Sequence, residues 1–143
     1  MVLKRNSMNQ FINNVIIEFL NENKQSYLTV YHGTNTKFVN DIKANGLIDK
    51  TGYNQGWYML STDFESALYH ATPQNEEDVT VFEFKIPIID THYWEGYPYL
   101  WKGEKRNDNS TWYALMKQIP NTMISNVITV PYDRWMKQKN DKF

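Results

Sequence analysis

The chain has 143 residues, the size of one ordinary globular domain, and no linker-like segment divides it, so we expect a single domain over residues 1–143. Fifteen Lys and Arg against 16 Asp and Glu give a net charge of −1, which disfavours a protein held mainly by nucleic-acid phosphates. The absence of Cys excludes disulfides, thiolate catalysis and cysteine-based metal sites. Because no apolar run approaches the roughly 18 residues that span a bilayer, we expect a soluble, cytoplasmic protein without a membrane partner.

Taken in chain order, the first elements are a helix, a strand and a second helix. Apolar residues at helical spacing predict a helix over about residues 8–23. The β-rich run over residues 28–31 predicts a strand that leads directly into His32-Gly33-Thr34. A second helix follows, and Asn45-Gly46 is its predicted C-terminal stop.

Another strand and another helix come next. Residues 56–61 are aromatic enough to form a strand, and the apolar spacing after them predicts a helix over residues 64–71. Thr62 or Asp63 stands where an N-cap residue is needed. We therefore interpret the acidic residues at this helix start as capping and first-turn charge.

The second half of the chain is read as strands and loops. Residues 79–86 alternate apolar and polar side chains and predict a half-buried strand that Pro87 closes. A long aromatic loop is predicted over about residues 91–109, followed by strands over 111–116 and 126–130. The tail over residues 135–142 is expected to be basic, solvated and frayed. This order predicts an α+β fold and disfavours a doubly wound sheet, because no helices separate the late strands.

Three fragments carry a resemblance: Tyr31-His32-Gly33-Thr34, the run over residues 56–61, and Ser66-Ala67-Leu68-Tyr69. Together they resemble the ADP-ribosyltransferase fold, in its poly(ADP-ribose) polymerase and diphtheria-toxin-like branch, whose signature is His, Tyr and Glu on successive sheet elements. That pattern has a small hydroxyl residue eight positions after its Tyr and a stacking Tyr eleven positions after it. Ser66 and Tyr69 stand at those distances from Tyr58. The resemblance implies an N-terminal helix, a mostly antiparallel sheet with a central split, and NAD as co-substrate.

The resemblance also implies roles for the first fragment. His32 is expected to donate a hydrogen bond to a ribose hydroxyl of NAD. Gly33, which has no side chain, would let its backbone approach the flat carboxamide, with Thr34 beside it. On their own, these three residues are more often an ordinary turn than a site.

The other two fragments would hold the nicotinamide. Tyr58 and Tyr69 are expected to sandwich its ring, and the Ser66 hydroxyl is expected to bond its amide oxygen. Singly, the two tyrosines are as easily core aromatics, and Ser66 an ordinary helix serine. No metal is expected, since His70 and His92 have no ligand partners at useful spacing.

Cleavage of the nicotinamide–ribose bond calls for one carboxylate that stabilises developing positive charge. Relatives carry it at the start of a late strand, but residues 110–112 of this chain are not acidic. Asp108 and Glu104 are the nearest candidates for a displaced acid, and Glu95 is a more distant one.

The resemblance implies an NAD-dependent mono-ADP-ribosyltransferase that modifies a macromolecular acceptor, expected to be protein, as a bacterial or phage effector. One alternative is an inert module of the same fold that binds and occludes a partner protein. Another is an RNA 2′-phosphotransferase, for which Arg106 is the one arginine in a suitable loop. The aromatic residues 94–101 are either a substrate-recognition surface or a lid packed on the core.

Overall fold

The computed structural model describes residues 8–14, 25–48, 58–106, 109–116 and 118–141, with the backbone alone at Tyr58 and Glu104. The fold is α+β and contains one antiparallel sheet of six strands in the order β4-β5-β2-β1-β3-β6. The strands are β1 (Tyr27–Asn35), β2 (Tyr58–Ser61), β3 (Val79–Pro87), β4 (Leu100–Lys105), β5 (Thr111–Leu115) and β6 (Ile124–Val130). The helices are α1, which includes residues 8–14, α2 (Val39–Asn45), α3 (Phe64–His70) and α4 (Tyr132–Asp141).

Strand β3 is buried on both faces, and its alternating side chains divide the core into two layers. Phe82, Phe84 and Ile86 belong to a cluster that also contains Ile42 of α2. Val79 and Val81 point the other way, into a cluster formed with α3 and α4. The sheet therefore has helices on both faces, and β1 shares this central position because it pairs with β3 at nine consecutive residues.

Most predicted elements are confirmed, with shifted ends. The first predicted helix is helical over residues 8–14, and its remainder lies outside the described residues. The His32-Gly33-Thr34 triplet lies inside β1 near its C-terminal end, since the strand continues to Asn35. Helix α2 ends at Asn45, and Gly46 follows with a φ of 78°, a conformation that suits glycine.

Helix α3 begins where the sequence predicts. Asp63 is its N-cap, and one oxygen of its carboxylate accepts a hydrogen bond from the Ser66 backbone N–H at 2.9 Å. The helix packs closely on β1 at Gly33. A Cβ built on Gly33 would lie 2.9 Å from the Ala71 Cβ and 3.0 Å from the Ala67 carbonyl carbon. Gly33 is thus the residue that lets α3 approach the sheet.

The prediction of an unstructured loop over residues 91–109 is wrong in part, because β4 lies within it. Leu100 is fully buried and pairs with Leu115 of β5, which anchors the strand at the sheet edge. The pairing shifts register between Lys102 and Lys105. A strand with one buried residue followed by Trp, Lys, Gly and Glu has no clear alternation, so its sequence does not distinguish it from a loop.

The prediction of a frayed tail is also wrong, because residues 132–141 form α4. Trp135 is buried, and its indole N–H donates to the Ala71 carbonyl oxygen at 2.9 Å. Gln138 is buried too, and its amide donates to the Glu65 carbonyl oxygen at 3.0 Å. Trp135 and Gln138 thus pack α4 against α3. This helix was missed from the sequence because lysines dominate the composition of the segment.

Within the described parts of the chain, no helix combines the length and apolar character needed to cross a membrane.

Candidate functional site

The sheet has a weak junction between β1 and β2. These strands pair in register at Tyr31 and Ser61, whereas β1 and β3 pair along their whole length. Next to this pair, the His32 imidazole of β1 forms a hydrogen bond with β2, since its Nδ1 lies 3.0 Å from the Met59 carbonyl oxygen. A side-chain contact thus adds to the main-chain pairing of the two strands. Across the described strands the sheet is continuous, so the central split that the resemblance implies is not observed at this junction.

The protonation of His32 follows from this contact. The Met59 carbonyl oxygen can only accept, so the imidazole Nδ1 carries the proton and donates it. Burial lowers the pKa of His32, against an opposing effect of the same hydrogen bond, and the ring is neutral at pH 7. Among the described residues none bonds Nε2, which is therefore an acceptor. In this tautomer Nε2 can accept but cannot donate, so the expected donation from this nitrogen to a ribose hydroxyl would have to be replaced by acceptance.

Gly33 and Thr34 are closely packed against their neighbours in the fold. Gly33 lies directly against Ala67 of α3 and against Ala71, the residue that follows this helix, and Thr34 is buried. The absence of a side chain at Gly33 is explained by helix packing on that side of the strand. Its predicted contact with a carboxamide stays a prediction.

Ser66 also has a local role. Its hydroxyl donates to the Asp63 carboxylate at 2.8 Å, next to the cap bond from its own backbone N–H. With the hydroxyl proton directed at Asp63, the Ser66 oxygen can serve a ligand only as an acceptor in this arrangement. The predicted donation to the nicotinamide amide oxygen would require the hydroxyl to rotate, whereas acceptance from the amide NH₂ would not.

Tyr69 begins a row of aromatic side chains on the α3 face of the sheet. The ring of His70 meets Tyr69 edge to face at 5.1 Å and meets Trp112 of β5 in the same way at 4.9 Å. The Lys139 ammonium group lies 5.6 Å from the Tyr69 ring centroid. The side chain of the predicted second stacking residue, Tyr58, lies outside the described residues, so the sandwich stays a prediction.

The start of β5 lies against the end of β2. The Thr62 backbone N–H donates to the Thr111 carbonyl oxygen at 3.1 Å, and the Thr111 backbone N–H donates to the Thr62 hydroxyl at 3.0 Å. This places the start of β5 beside Thr62, the residue before Asp63, whose carboxylate the sequence analysis interprets as a helix cap alone. No signal in the sequence indicated that the helix cap and this strand start are neighbours.

The three acids named from the sequence have different positions. Asp108 lies outside the described residues, and Glu104 lies in β4 with its side chain outside them. Glu95 is exposed, and its charge adds to the effect of burial in raising the pKa of Tyr113. Since Tyr113 and Trp112 point to opposite faces of β5, Glu95 lies on the face away from the aromatic row.

Trp112 and Arg106 form a contact that sequence reasoning missed. The Arg106 guanidinium lies over the Trp112 ring, 5.0 Å from its centroid. The indole N–H of Trp112 is buried and has no hydrogen-bond partner among the described residues. The hairpin between β4 and β5 holds Arg106 there through hydrogen bonds between the backbones of Arg106 and Ser110 and of Asn109 and Arg106.

A separate groove lies between α3 and α4. It is lined by Glu65, Arg134, Lys137, Gln138 and Asp141, and an ion pair between Glu65 and Arg134 crosses it. No residue of the predicted NAD site lines this groove. In the described ranges, no group of three or more His, Asp or Glu side chains is placed to hold a metal ion.

Comparison of the chain with protein families, with curated proteins and with solved structures finds no match.

Proposed function

We propose that the chain is an NAD-dependent mono-ADP-ribosyltransferase whose site lies at the junction of β1 and β2. The observation that carries the proposal is the His32 imidazole, which bonds Met59 across this junction and keeps Nε2 as an acceptor. The order and spacing of the three sequence fragments support it. The acceptor is a macromolecule, in the first instance a protein, and the biological setting is that of a bacterial or phage effector.

The residues fit NAD unevenly. His32 fits well, since a neutral, half-buried ring held by one nitrogen can orient a ribose hydroxyl with the other. Ser66 fits less well, because it is buried and its hydroxyl donates to Asp63. Tyr69, half-buried at the end of α3, supplies an aromatic face. When bound, NAD supplies the ADP-ribosyl group, with nicotinamide as its leaving group.

The remaining requirement is a carboxylate near the reacting ribose. Glu104 belongs to β4, and Asp108 comes after this strand in the sequence. Both precede the start of β5, where the family that the sequence resembles carries its acid. Such a group acts electrostatically, by stabilising positive charge as the leaving group departs. Asp63 is a further candidate because its neighbour Thr62 is hydrogen-bonded to Thr111.

The test measures nicotinamide release from NAD by the purified chain in a bacterial lysate, together with transfer of labelled ADP-ribose. We expect release by the wild type and its loss in His32→Gln, with His92→Gln as the matched histidine control. Parallel Asp108→Ala, Glu104→Ala and Asp63→Asn variants identify the acid, since one of the three should abolish release.

Other outcomes separate the alternatives. Absence of release, together with absence of thermal stabilisation by NAD, would reject the transferase in favour of an inert module that occludes a partner protein. Release that depends on RNA carrying a 2′-phosphate, with loss of activity in Arg106→Gln, would favour the 2′-phosphotransferase.

A further inference from the structure

Strand β6 lies at one end of the sheet, and among the described strands only β3 is hydrogen-bonded to it. Its residues Ile124–Val130 include no charged residue, proline or glycine, and five of the seven are β-branched. Native proteins usually protect an open edge with charges, prolines or bulges. The pairing of β6 with β3 shifts register only near Ser125, and it is regular from Asn126 to Val130. This strand therefore offers a regular, uncharged edge to another strand.

The opposite edge of the sheet is protected. Strand β4 carries Lys102 and Lys105, and its pairing with β5 shifts register between these two residues. Strand β6 of one copy would therefore pair poorly with β4 of another. Such a head-to-tail contact would also leave edges open and build a filament, whereas pairing of β6 with β6 closes after two copies. A second copy that covers this edge does so through its own β6.

The hydrogen bonds between β1 and β3 decide which main-chain groups of β6 face outward. The Ile88 backbone N–H donates to the Ser26 carbonyl oxygen at 2.9 Å, just beyond the end of the β1–β3 ladder. Bonded and non-bonded pairs alternate along an antiparallel ladder, so Phe82 directs its N–H and C=O toward β1. Val127, which lies opposite Phe82 in β6, therefore directs its own N–H and C=O away from β3. Thr129, two residues further on, does the same.

The side chains along this edge agree with that direction. The Val127 backbone N–H donates to the side-chain oxygen of Asn126 at 2.9 Å, which is consistent with an N–H that points away from β3. Asn126 is exposed and can release this N–H to a carbonyl group of another strand. Val127 and Ile128 are half-buried and lie at the rims of the two core clusters, on opposite faces of the sheet. A strand added beside β6 would cover both of them.

An antiparallel pair of β6 strands centred on Ile128 satisfies these outward groups. Val127 of each copy then lies opposite Thr129 of the other, and each of these pairs exchanges two hydrogen bonds. The two Ile128 residues face each other as a non-hydrogen-bonded pair, the kind with the closer side chains. A centre at Val127 would instead place Thr129 opposite Ser125, where the strand loses its regular register. The edge thus matches a second copy of itself without an offset.

We propose that the chain forms a twofold dimer in which β6 pairs antiparallel with β6 of a second copy, joining two six-stranded sheets into one. The contact brings together two uncharged strands of β-branched residues, which are favourable cross-strand neighbours. Because strand pairing alone covers less surface than a standard protein interface, we expect a dissociation constant in the micromolar range. The dimer goes beyond the proposed transferase function and does not require NAD.

Sedimentation equilibrium of the purified full chain, without NAD, measures dimerisation over about 1–200 µM. We expect the mass to rise from 17.1 kDa toward twice that value. Thr129→Pro removes an outward N–H that β3 does not use, and proline is tolerated at such a position of an edge strand. We expect its dimer to be at least tenfold weaker. Thr72→Pro is the matched control, because Thr72 is exposed and lies outside the sheet, and circular dichroism checks that both variants are folded.

Because the chain contains no cysteine, single-cysteine variants report the register of the pair. Ile128→Cys places two thiols opposite each other at a Cα separation of about 4.5 Å, which a disulfide accepts. This variant should form a cross-linked dimer when it is oxidised with diamide. Thr129→Cys is the matched control, because its two copies lie about 8 Å apart along the pair, beyond the reach of a disulfide.

Three results would overturn the proposal: a monomer at the highest concentration, a dimer that Thr129→Pro leaves intact, or equal cross-linking of the two cysteine variants. A chain that stays monomeric but binds an unrelated extended peptide rich in Val and Thr would also refute the dimer. If Thr129→Pro abolished that binding, the edge would serve the strand of another protein. Because NAD is absent, a failure here is distinct from a failure of the transferase.

Discussion

Replacement of Gly33 by Ala tests whether this glycine serves helix packing. The added Cβ would lie 2.9 Å from the Ala71 Cβ, 3.0 Å from the Ala67 carbonyl carbon and closer still to the Ala67 carbonyl oxygen. Most of these atoms belong to the backbone of α3, so the helix must move away from β1. Overpacking of this kind costs about 1–3 kcal/mol, and a backbone obstacle places the cost near the upper end.

A second effect has the opposite sign. Gly33 has no positive φ, so alanine fits its backbone conformation and would stabilise the chain by about 0.4–1 kcal/mol if space were available. The expected net loss is therefore about 2 kcal/mol. At this chain length such a loss lowers the melting temperature by about 4–8 °C.

Thermal unfolding followed by circular dichroism measures this loss, with Gly103→Ala on the edge strand as control. Gly103 is half-exposed, and we expect its variant to melt within about 2 °C of the wild type. An unchanged or raised melting temperature of Gly33→Ala would refute the packing explanation and return Gly33 to a ligand-lining role.

Three further predictions concern stability. Because burial lowers the pKa of folded His32 below its unfolded value of about 6.5, the contribution of neutral His32 is complete above pH 6.5 and declines as the pH falls below it. Urea unfolding at pH 7.5 and 5.5 should show a smaller decline in His32→Gln, and an identical decline would contradict this. Asp63→Ala should cost about 1 kcal/mol by removing the α3 cap, and Asp63→Asn clearly less; equal losses in urea unfolding would argue against the cap. Trp135→Phe should cost about 1–2 kcal/mol through the lost bond to Ala71, more than Trp101→Phe does, and the reverse order would mean that α4 is not docked.

Periodicity predicted the elements whose burial is regular. Strand β3 alternates between two buried layers, and its predicted bounds differ from the observed ones by one residue at the C-terminal end. Helix α3 has a clear cap at Asp63 and ends before Ala71. In both cases the local sequence contains the signal, since side-chain spacing and capping chemistry are local properties.

Strand β4 and helix α4 were missed for a shared reason. Each is fixed by one or two buried residues, Leu100 in β4 and Trp135 with Gln138 in α4, among charged neighbours. Their partners, Leu115 of β5 and Ala71 after α3, are distant in sequence. Tertiary contacts of this kind decide the structure but leave no periodic pattern.

The sequence names candidate site residues, but it does not contain the geometry that surrounds them. The sequence indicated His32 and Ser66, yet it could not indicate that Met59 would accept from His32 or that Asp63 would take the Ser66 proton. These partners fix the direction of each hydrogen bond offered to a ligand. The first partner depends on how β1 lies beside β2, and the second depends on the capping of α3. Both are determined by the folded structure.

The most direct test of the central claim is calorimetric titration of the purified chain with NAD, for the wild type and for His32→Gln. The glutamine amide can still donate to Met59, so the variant removes the imidazole while preserving the contact that joins β1 and β2. We expect one NAD site in the wild type and at least tenfold weaker binding in the variant at unchanged melting temperature. Absence of binding by the wild type, or equal affinity in the variant, would contradict a site for NAD at this junction.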